Sequence, residues 1–297
     1  MNSKDKNEVF IDPTSDIFIL YLFGSPGNND ILLNFVNSVL SDAGFSKIVE
    51  VEPLNPFNIR KFVDDKMSIL DIKAKDEDGR IYDIEVQTIG NDLYINRSLY
   101  YWAKNYSDQI TKGESYSILK PVICINLLKF KIFKEIENAH TCFMVYEKDF
   151  KEIPLTDNLQ IYFLELEKLF TNAKMLEDLY NWFEYFKNEG KNKGESMQTL
   201  LEKNKIFKKA HEKYVEFTQN DELRNIYESR EKFQRDQIAL VDVAKKEGIK
   251  EGIKEGIKEG IKEGKLEAAR TMLKDGFTIE QVIKYTGLSK EEIEKNL

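Results

Sequence analysis

The sequence predicts an α/β fold, a small mixed sheet flanked by helices, with an α-helical appendage behind it. Three observations lead there. Residues 67–75 (MSILDIKAK) and 80–88 (RIYDIEVQT) read as two strands, separated by the turn-forming cluster Asp76-Glu77-Asp78-Gly79. Residues 121–128 (PVICINLL) make an apolar run whose length suits a strand buried on both faces. Beyond about residue 170, helical spacing continues with no comparable strand pattern. A chain of 297 residues has room for a core plus an appendage, and a composition 41% hydrophobic and 12% aromatic supplies that core.

Taken in order, residues 16–23 and 30–40 carry apolar residues at helical spacing and predict two short helices, with Asn29 or Asp30 as cap of the second. Pro53 and Pro56 interrupt residues 49–59, which read as an irregular or edge segment. The hairpin follows. Residues 93–109 suit a helix, with Tyr100, Tyr101 and Trp102 mostly in the core, and 141–146 and 161–166 are further candidate strands. Residues 176–186, 200–217 and 222–244 read as helices.

From Glu247 the tetrapeptide Glu-Gly-Ile-Lys runs four times and ends at Glu263-Gly264. Each glycine costs a helix about 1 kcal/mol relative to alanine. Yet Ile249, Ile253, Ile257 and Ile261 form a slowly drifting stripe beside the glycines. The tract reads either as a solvated spacer or as an oligomerisation helix. Gly276 follows a helical run over 266–274, and Thr278 with Gln281 and Ser289 with Glu292 match capping boxes on either side of Gly287. The result looks like a helix-turn-helix. Its glutamates 280, 291, 292 and 294 favour packing or dimerisation over DNA reading. The expected divisions are 1–170, 171–246, 247–264 and 265–297.

A formal net charge of −8 argues against a protein that coats DNA non-specifically, since such proteins present a basic face to phosphates. It does not exclude a nuclease, because carboxylates that hold a divalent cation add to the negative count. Cys124 and Cys142 have apolar neighbours and no CxxC spacing, so they read as buried free thiols rather than zinc ligands. His140 and His211 stand apart from any nucleophilic arrangement. No secretory leader and no apolar run long enough to span a bilayer is present, which predicts a cytoplasmic protein without a membrane partner.

The hairpin carries the chemistry. Side chains alternate along a strand, so Asp71 shares a face with Lys73, and Asp83, Glu85 and Gln87 share one on the next strand. Whether the faces coincide depends on the turn. A three-residue turn over 77–79 sets Asp76 opposite Arg80 and Asp71 opposite Glu85; a four-residue turn sends Glu85 to the other face. Carboxylates held side by side repel unless a cation or proton lies between them, and oxygen ligands of this kind suit Mg²⁺ or Mn²⁺. The competing reading is a pair of exposed carboxylates balanced by Lys73 and Lys75.

Over residues 12–128 the chain resembles the PD-(D/E)XK nuclease superfamily, and within it the recombination-promoting nuclease or transposase family. The motifs are Leu70-Asp71, Asp78-Gly79, Ile84-Glu85-Val86-Gln87, Arg97 with Tyr100-Tyr101, and Gly113 with Tyr116. The resemblance implies a restriction-endonuclease-like core. It also implies Asp71 and Glu85 as metal ligands, and Gln87 at the place of the superfamily's usual lysine. Glutamine supplies no positive charge but can orient a water by hydrogen bonding. Asp16 matches the family's opening helix, as a candidate third metal ligand or an N-terminal cap, while Leu20 replaces a lysine there. Arg97 is read as a phosphate grip or a surface ion pair.

The function expected is a Mg²⁺- or Mn²⁺-dependent DNA endonuclease tied to recombination or transposition, with Asp71, Glu85 and Gln87 as catalytic residues. The partners expected are DNA and, through the C-terminal helices, a second copy of the chain. The alternative is a catalytically weakened nuclease fold that binds nucleic acid or protein.

Overall fold

A computed structural model describes residues 10–58, 71–90, 93–169, 175–191 and 194–296. Its contacts divide the chain into two compact units, Met1–Arg230 and Glu231–Leu297. The first unit runs through α1 (Asp16–Gly24), α2 (Asn29–Asp42), β1 (Val51–Pro53), β2 (Ile72–Asp76), β3 (Ile81–Gln87) and α3 (Tyr94–Ser107). It continues with β4 (Val122–Leu128), β5 (His140–Phe143), β6 (Leu159–Glu165), α4 (Glu177–Asn188), α5 (Glu195–Lys203) and α6 (Lys205–Gln219). Of the first expected hairpin strand, residues 67–70 lie outside the described residues.

The strands form one mixed sheet in the order β1-β2-β3-β4-β6-β5. β3, β4 and β6 are mutually parallel, and the other pairings are antiparallel. β4, apolar except for Asn126, lies inside and is buried at every position, as a strand covered on both faces must be. The segment with two prolines supplies the edge strand β1, which stops at Pro53, a residue with no N–H for the ladder. This is a restriction-endonuclease-like core, a mixed sheet between layers of helices.

The two faces of the sheet differ in chemistry because alternate residues of each strand do. One face, with Ile72, Ala74, Tyr82, Ile84, Ile123 and Ile125, joins the large apolar cluster beneath α1 and α2. All of α1 after Asp16 is buried. Leu20 is among these residues, so the place of the expected lysine is a core position in this chain.

Helices α4 and α6, expected as part of a separate region from 171, place Leu179, Trp182, Phe207 and Phe217 in the same cluster. The sheet face and α2 leave an apolar surface that the amphipathic faces of these helices cover. Trp182 Nε1 donates to Asn34 Oδ1 at 2.9 Å, and Tyr214 OH donates to the Ile11 carbonyl at 2.8 Å. The single helix expected over 200–217 is two helices. Asn204 ends the first and caps the second, its Oδ1 accepting from Ile206 N at 3.0 Å.

The other face carries Asp83, Glu85 and Asn126, and α3 covers it. The buried residues of α3 are Tyr94, Ser98 and Asn105, which fall on one side of the helix. Tyr100, expected in the core, is 63% exposed, because it points to the far side of α3. Cys124 is buried and Cys142 half-buried, both as free thiols.

The second unit contains most of α7 (Asp221–Lys274), a 54-residue helix that includes the whole repeat. It is followed by α8 (Ile279–Thr286) and α9 (Lys290–Lys295). Both expected capping boxes are formed, and Gly287 ends α8 in the left-handed region at φ +67°. Ala269, Val282, Leu288 and Ile293 make the small core of this tail. Among the described residues, no helix is long and apolar enough to cross a membrane.

Candidate functional site

The geometry of the site starts at the turn between β2 and β3. Asp76 N donates to the Arg80 carbonyl at 3.2 Å, and the ladder runs from Lys75 opposite Ile81 to Ile72 opposite Ile84. One step further along this register, Asp71 stands opposite Glu85. The turn is the three-residue one, and it depends on Gly79, whose φ of +83° few side chains tolerate. Asp76 holds it from inside, its Oδ1 accepting from Asp78 N at 3.0 Å and Arg80 N at 2.8 Å.

At the other end of β2, Asn55 takes over where β1 stops. Its Nδ2 donates to the Asp71 carbonyl at 2.7 Å, and its Oδ1 accepts from Lys73 N at 2.8 Å. A side chain thus mimics a ladder pair and fixes the backbone that carries Asp71.

Asp83 and Glu85 are buried, at 2% and 7% exposure. Asn105 Nδ2 donates to Asp83 Oδ2 at 2.6 Å, while Asp83 Oδ1 is buried with no hydrogen-bond partner among the described residues. Burial, with Asp71 and Glu85 adding repulsion, pushes the Asp83 carboxyl up to about 7. Burial raises Glu85 as well, Arg97 opposes this, and Asp71 adds to it. Tyr94 OH, 3.4 Å from Glu85 Oε2, donates to Asn126 Oδ1 at 2.8 Å. Asn126 lies beside Glu85 on β4, receives a second bond from Ser98 Oγ at 3.2 Å, and donates to the Tyr162 carbonyl at 2.9 Å.

Two cations face these three acids. Lys73 Nζ is 3.9 Å from Asp71 Oδ2, and Arg97 Nη2 is 3.6 Å from Glu85 Oε2. The Arg97 guanidinium lies over the Tyr94 and Tyr101 rings, is partly open to solvent, and keeps its Nε buried with no partner among the described residues. Gln87 follows Glu85 on the same face. Its Nε2 donates to the Ile89 carbonyl at 3.2 Å, and its Oε1 has no hydrogen-bond donor among the described residues.

Asp16 is placed differently. Its carboxylate is held by Arg230, with Nη2 to Oδ2 at 2.7 Å, and accepts from Ile17 N at 2.7 Å. The structure gathers Asp71, Glu85, Gln87 and Arg97, and it engages Asp16 elsewhere. Residue spacing carries no sign of Asn105, Asn126 or Tyr94, because their approach to the acids is a tertiary contact. Asp83 was visible only as a residue sharing the face of Glu85.

Among the described residues, no three of His, Cys, Asp and Glu form a ready-made metal cage. The donors nonetheless fit a hard cation. Magnesium is commonly bound through one or two carboxylates, with water and phosphate oxygens completing its shell. Asp71 and Glu85 supply two such groups, and the mutual repulsion on this face is what a cation relieves.

Residues 13–244 match the family model described as PD-(D/E)XK nuclease family transposase. Residues 262–296 match the C-terminal HTH domain of the Rpn/YhgA-like nuclease family. Neither a curated protein nor a solved structure matches the chain. A match over most of the chain, on a restriction-endonuclease-like core with acids paired across its hairpin, makes this chain a member of the PD-(D/E)XK nuclease family of transposases.

Proposed function

We propose that the protein is a Mg²⁺- or Mn²⁺-dependent DNA endonuclease acting in recombination or transposition, with Asp71 and Glu85 as its metal ligands. The observation that carries this reading is the concentration of Asp71, Asp83 and Glu85 on one sheet face, where burial and mutual repulsion hold two of them above their ordinary range. A bound divalent ion supplies Lewis-acid polarisation of a phosphoryl oxygen and a more acidic water.

The residues of the chain do the rest. Gln87 Oε1 accepts a hydrogen bond from the attacking water and orients it. Arg97, with a guanidinium partly open to solvent, grips a phosphate of the DNA strand. Lys73 brings a second positive charge toward the oxygen on which charge develops. Asp83, two residues before Glu85 on the same face, adds negative potential in its ionised form. Asp16 serves as an anchor for Arg230 rather than as a ligand.

The test is nicking of supercoiled plasmid by the purified protein with Mg²⁺ or Mn²⁺, beside folded Asp71→Ala and Glu85→Ala variants. Cleavage that needs the metal and both acids is expected. Equal nicking by wild type and variants would overturn the assignment.

A second reading, a weakened nuclease fold that binds DNA through its helix-turn-helix tail, is favoured by the match of residues 262–296 and by the amide at position 87. Wild-type protein that shifts DNA in a gel but leaves plasmid intact with either metal would select it.

A further inference from the structure

Glu165 and Lys168 form an ion pair withdrawn from solvent, at 0% and 3% exposure. Burying such a pair is costly unless further hydrogen bonds complete it. Here those bonds go to a surface loop, residues 129–136. Glu165 Oε1 accepts from Ile132 N at 2.6 Å and from Phe133 N at 3.2 Å, and Lys168 Nζ donates to the Phe133 and Ile136 carbonyls, each at 2.7 Å. Apolar contacts hold the same loop. The Phe130 ring lies so close to Gly90 that a Cβ there would meet it at 2.9 Å, and it meets the Tyr94 ring edge-on at 6.2 Å. Phe133 packs on Phe163 of β6, with ring centres 5.1 Å apart.

What this fastening presents is positive charge. Residues 129–134 read Lys-Phe-Lys-Ile-Phe-Lys; Phe130, Ile132 and Phe133 pack against the apolar cluster under α3, and Lys131 and Lys134 are exposed. Lys129 is taken by Asp12. Lys131 and Lys134 have no ion-pair or hydrogen-bond partner among the described residues. The first acid of the loop, Glu135, comes only after both. Lysines that serve solubility alone need no anchored backbone. Anchoring lowers the entropy lost when a ligand is bound, so it favours a ligand of fixed geometry.

The place of the loop says which ligand. β4 runs parallel to β3, so the carboxyl end of β4, where the loop begins, lies beside the end of β3 that carries Glu85 and Gln87. Lys129 N donates to the Gln87 carbonyl at 3.1 Å. In α/β sheets, ligands bind outside the carboxyl ends of the parallel strands. We propose that Lys131 and Lys134 hold DNA phosphates flanking the one cleaved at Asp71 and Glu85, with the 129–136 loop as a fixed platform for the DNA backbone. This rests on the nuclease reading above. Lysine meets a phosphate as a point charge and reads no base, so the platform positions the strand without choosing the sequence cut.

The experiment acetylates the full-length protein mildly, with and without excess supercoiled plasmid in Mg²⁺, and reads each lysine by mass spectrometry. Contact with phosphate is expected to slow Lys131 and Lys134 by about threefold or more. Lys75 and Lys120 are the controls, since they lie at the opposite end of the sheet, by the start of β3 and of β4, and are expected to react equally in both samples.

A variant carrying Lys131→Gln and Lys134→Gln, with the melting temperature of wild type, is expected to need about tenfold more plasmid for half-maximal nicking, at a nearly unchanged saturating rate. Lys131→Arg with Lys134→Arg keeps the charge and is expected to behave as wild type. Equal acetylation with and without DNA would overturn the platform, and nicking in the same samples shows whether the nuclease reading falls with it. A glutamine variant with the plasmid dependence of wild type would overturn it too. Protection of both lysines in a protein that cleaves nothing would keep the platform as a DNA contact and remove the nuclease reading alone.

Discussion

The buried face of β3 and the exposed face of α7 break the same partition rule in opposite senses. β3 takes Asp83 and Glu85 out of water, where carboxylates are costly, and α7 leaves a row of isoleucines in water, where apolar surface is costly. The first cost is the one that the proposed cation and phosphate would relieve; the second stands uncovered among the described residues. Their remedies differ in kind. A charged face is relieved by one ion in one position, whereas an apolar face needs an extended partner of matching shape.

Substitutions at the acids give the largest expected effect. Asp71→Ala and Glu85→Ala should lower metal-dependent nicking by at least about a hundredfold. Glu85→Gln in metal-free protein should melt no lower than wild type, because it removes a buried like charge. A Glu85→Gln protein that melts well below wild type would mean that the acid stabilises the fold, and the contrast between the two regions would fail.

Asp83→Asn comes next, and its effect depends on pH. The carboxyl titrates near 7 in the folded chain against an ordinary 3.8, so it binds its proton more tightly folded than unfolded. Below 3.8 the group is protonated in both states and costs nothing; stability is lost as pH rises from there to about 7. Asparagine removes that loss. Urea denaturation of metal-free protein should show Asp83→Asn more stable by roughly 2 kcal/mol at pH 8, with the difference vanishing near pH 4.

Asn55→Ala removes two hydrogen bonds at the backbone of Asp71. Fold stability should fall by about 1 kcal/mol and nicking by several-fold, through loosened placement of Asp71. A stability loss with unchanged cleavage would show that the ladder alone positions Asp71. The smallest effect on the first unit belongs to Gly252→Ala combined with Gly256→Ala. Helix content by circular dichroism should rise, since each change favours helix by about 1 kcal/mol, while the melting of the first unit stays unchanged.

The sequence made the hairpin legible, because turn composition and strand alternation are local rules, but it left two turn lengths open; the ladder of Lys75 opposite Ile81 and the positive φ of Gly79 decide for the three-residue turn. The capping boxes at Thr278 and Ser289 were legible for the same reason. The partners of the acids were not. Asn105 reaches Asp83 across 22 positions, and Asn126 reaches Tyr94 across 32, and no spacing rule spans such gaps. The place of α4 and α6 was hidden in another way. Their amphipathic pattern showed an apolar side, but not that the sheet and α2 had an uncovered surface waiting for it.

The manner in which α3 is held has a consequence for access. Each of its buried residues, Tyr94, Ser98 and Asn105, uses a hydroxyl or amide on the sheet below, while α1 buries mainly apolar side chains. Water can substitute for hydroxyl and amide partners at a modest net cost, but nothing in solvent substitutes for the burial of Phe18 or Phe23. α3 is therefore expected to loosen more readily than α1. In deuterium exchange, the amides of α3 are expected to open before those of α1, and a bound DNA strand to slow them selectively.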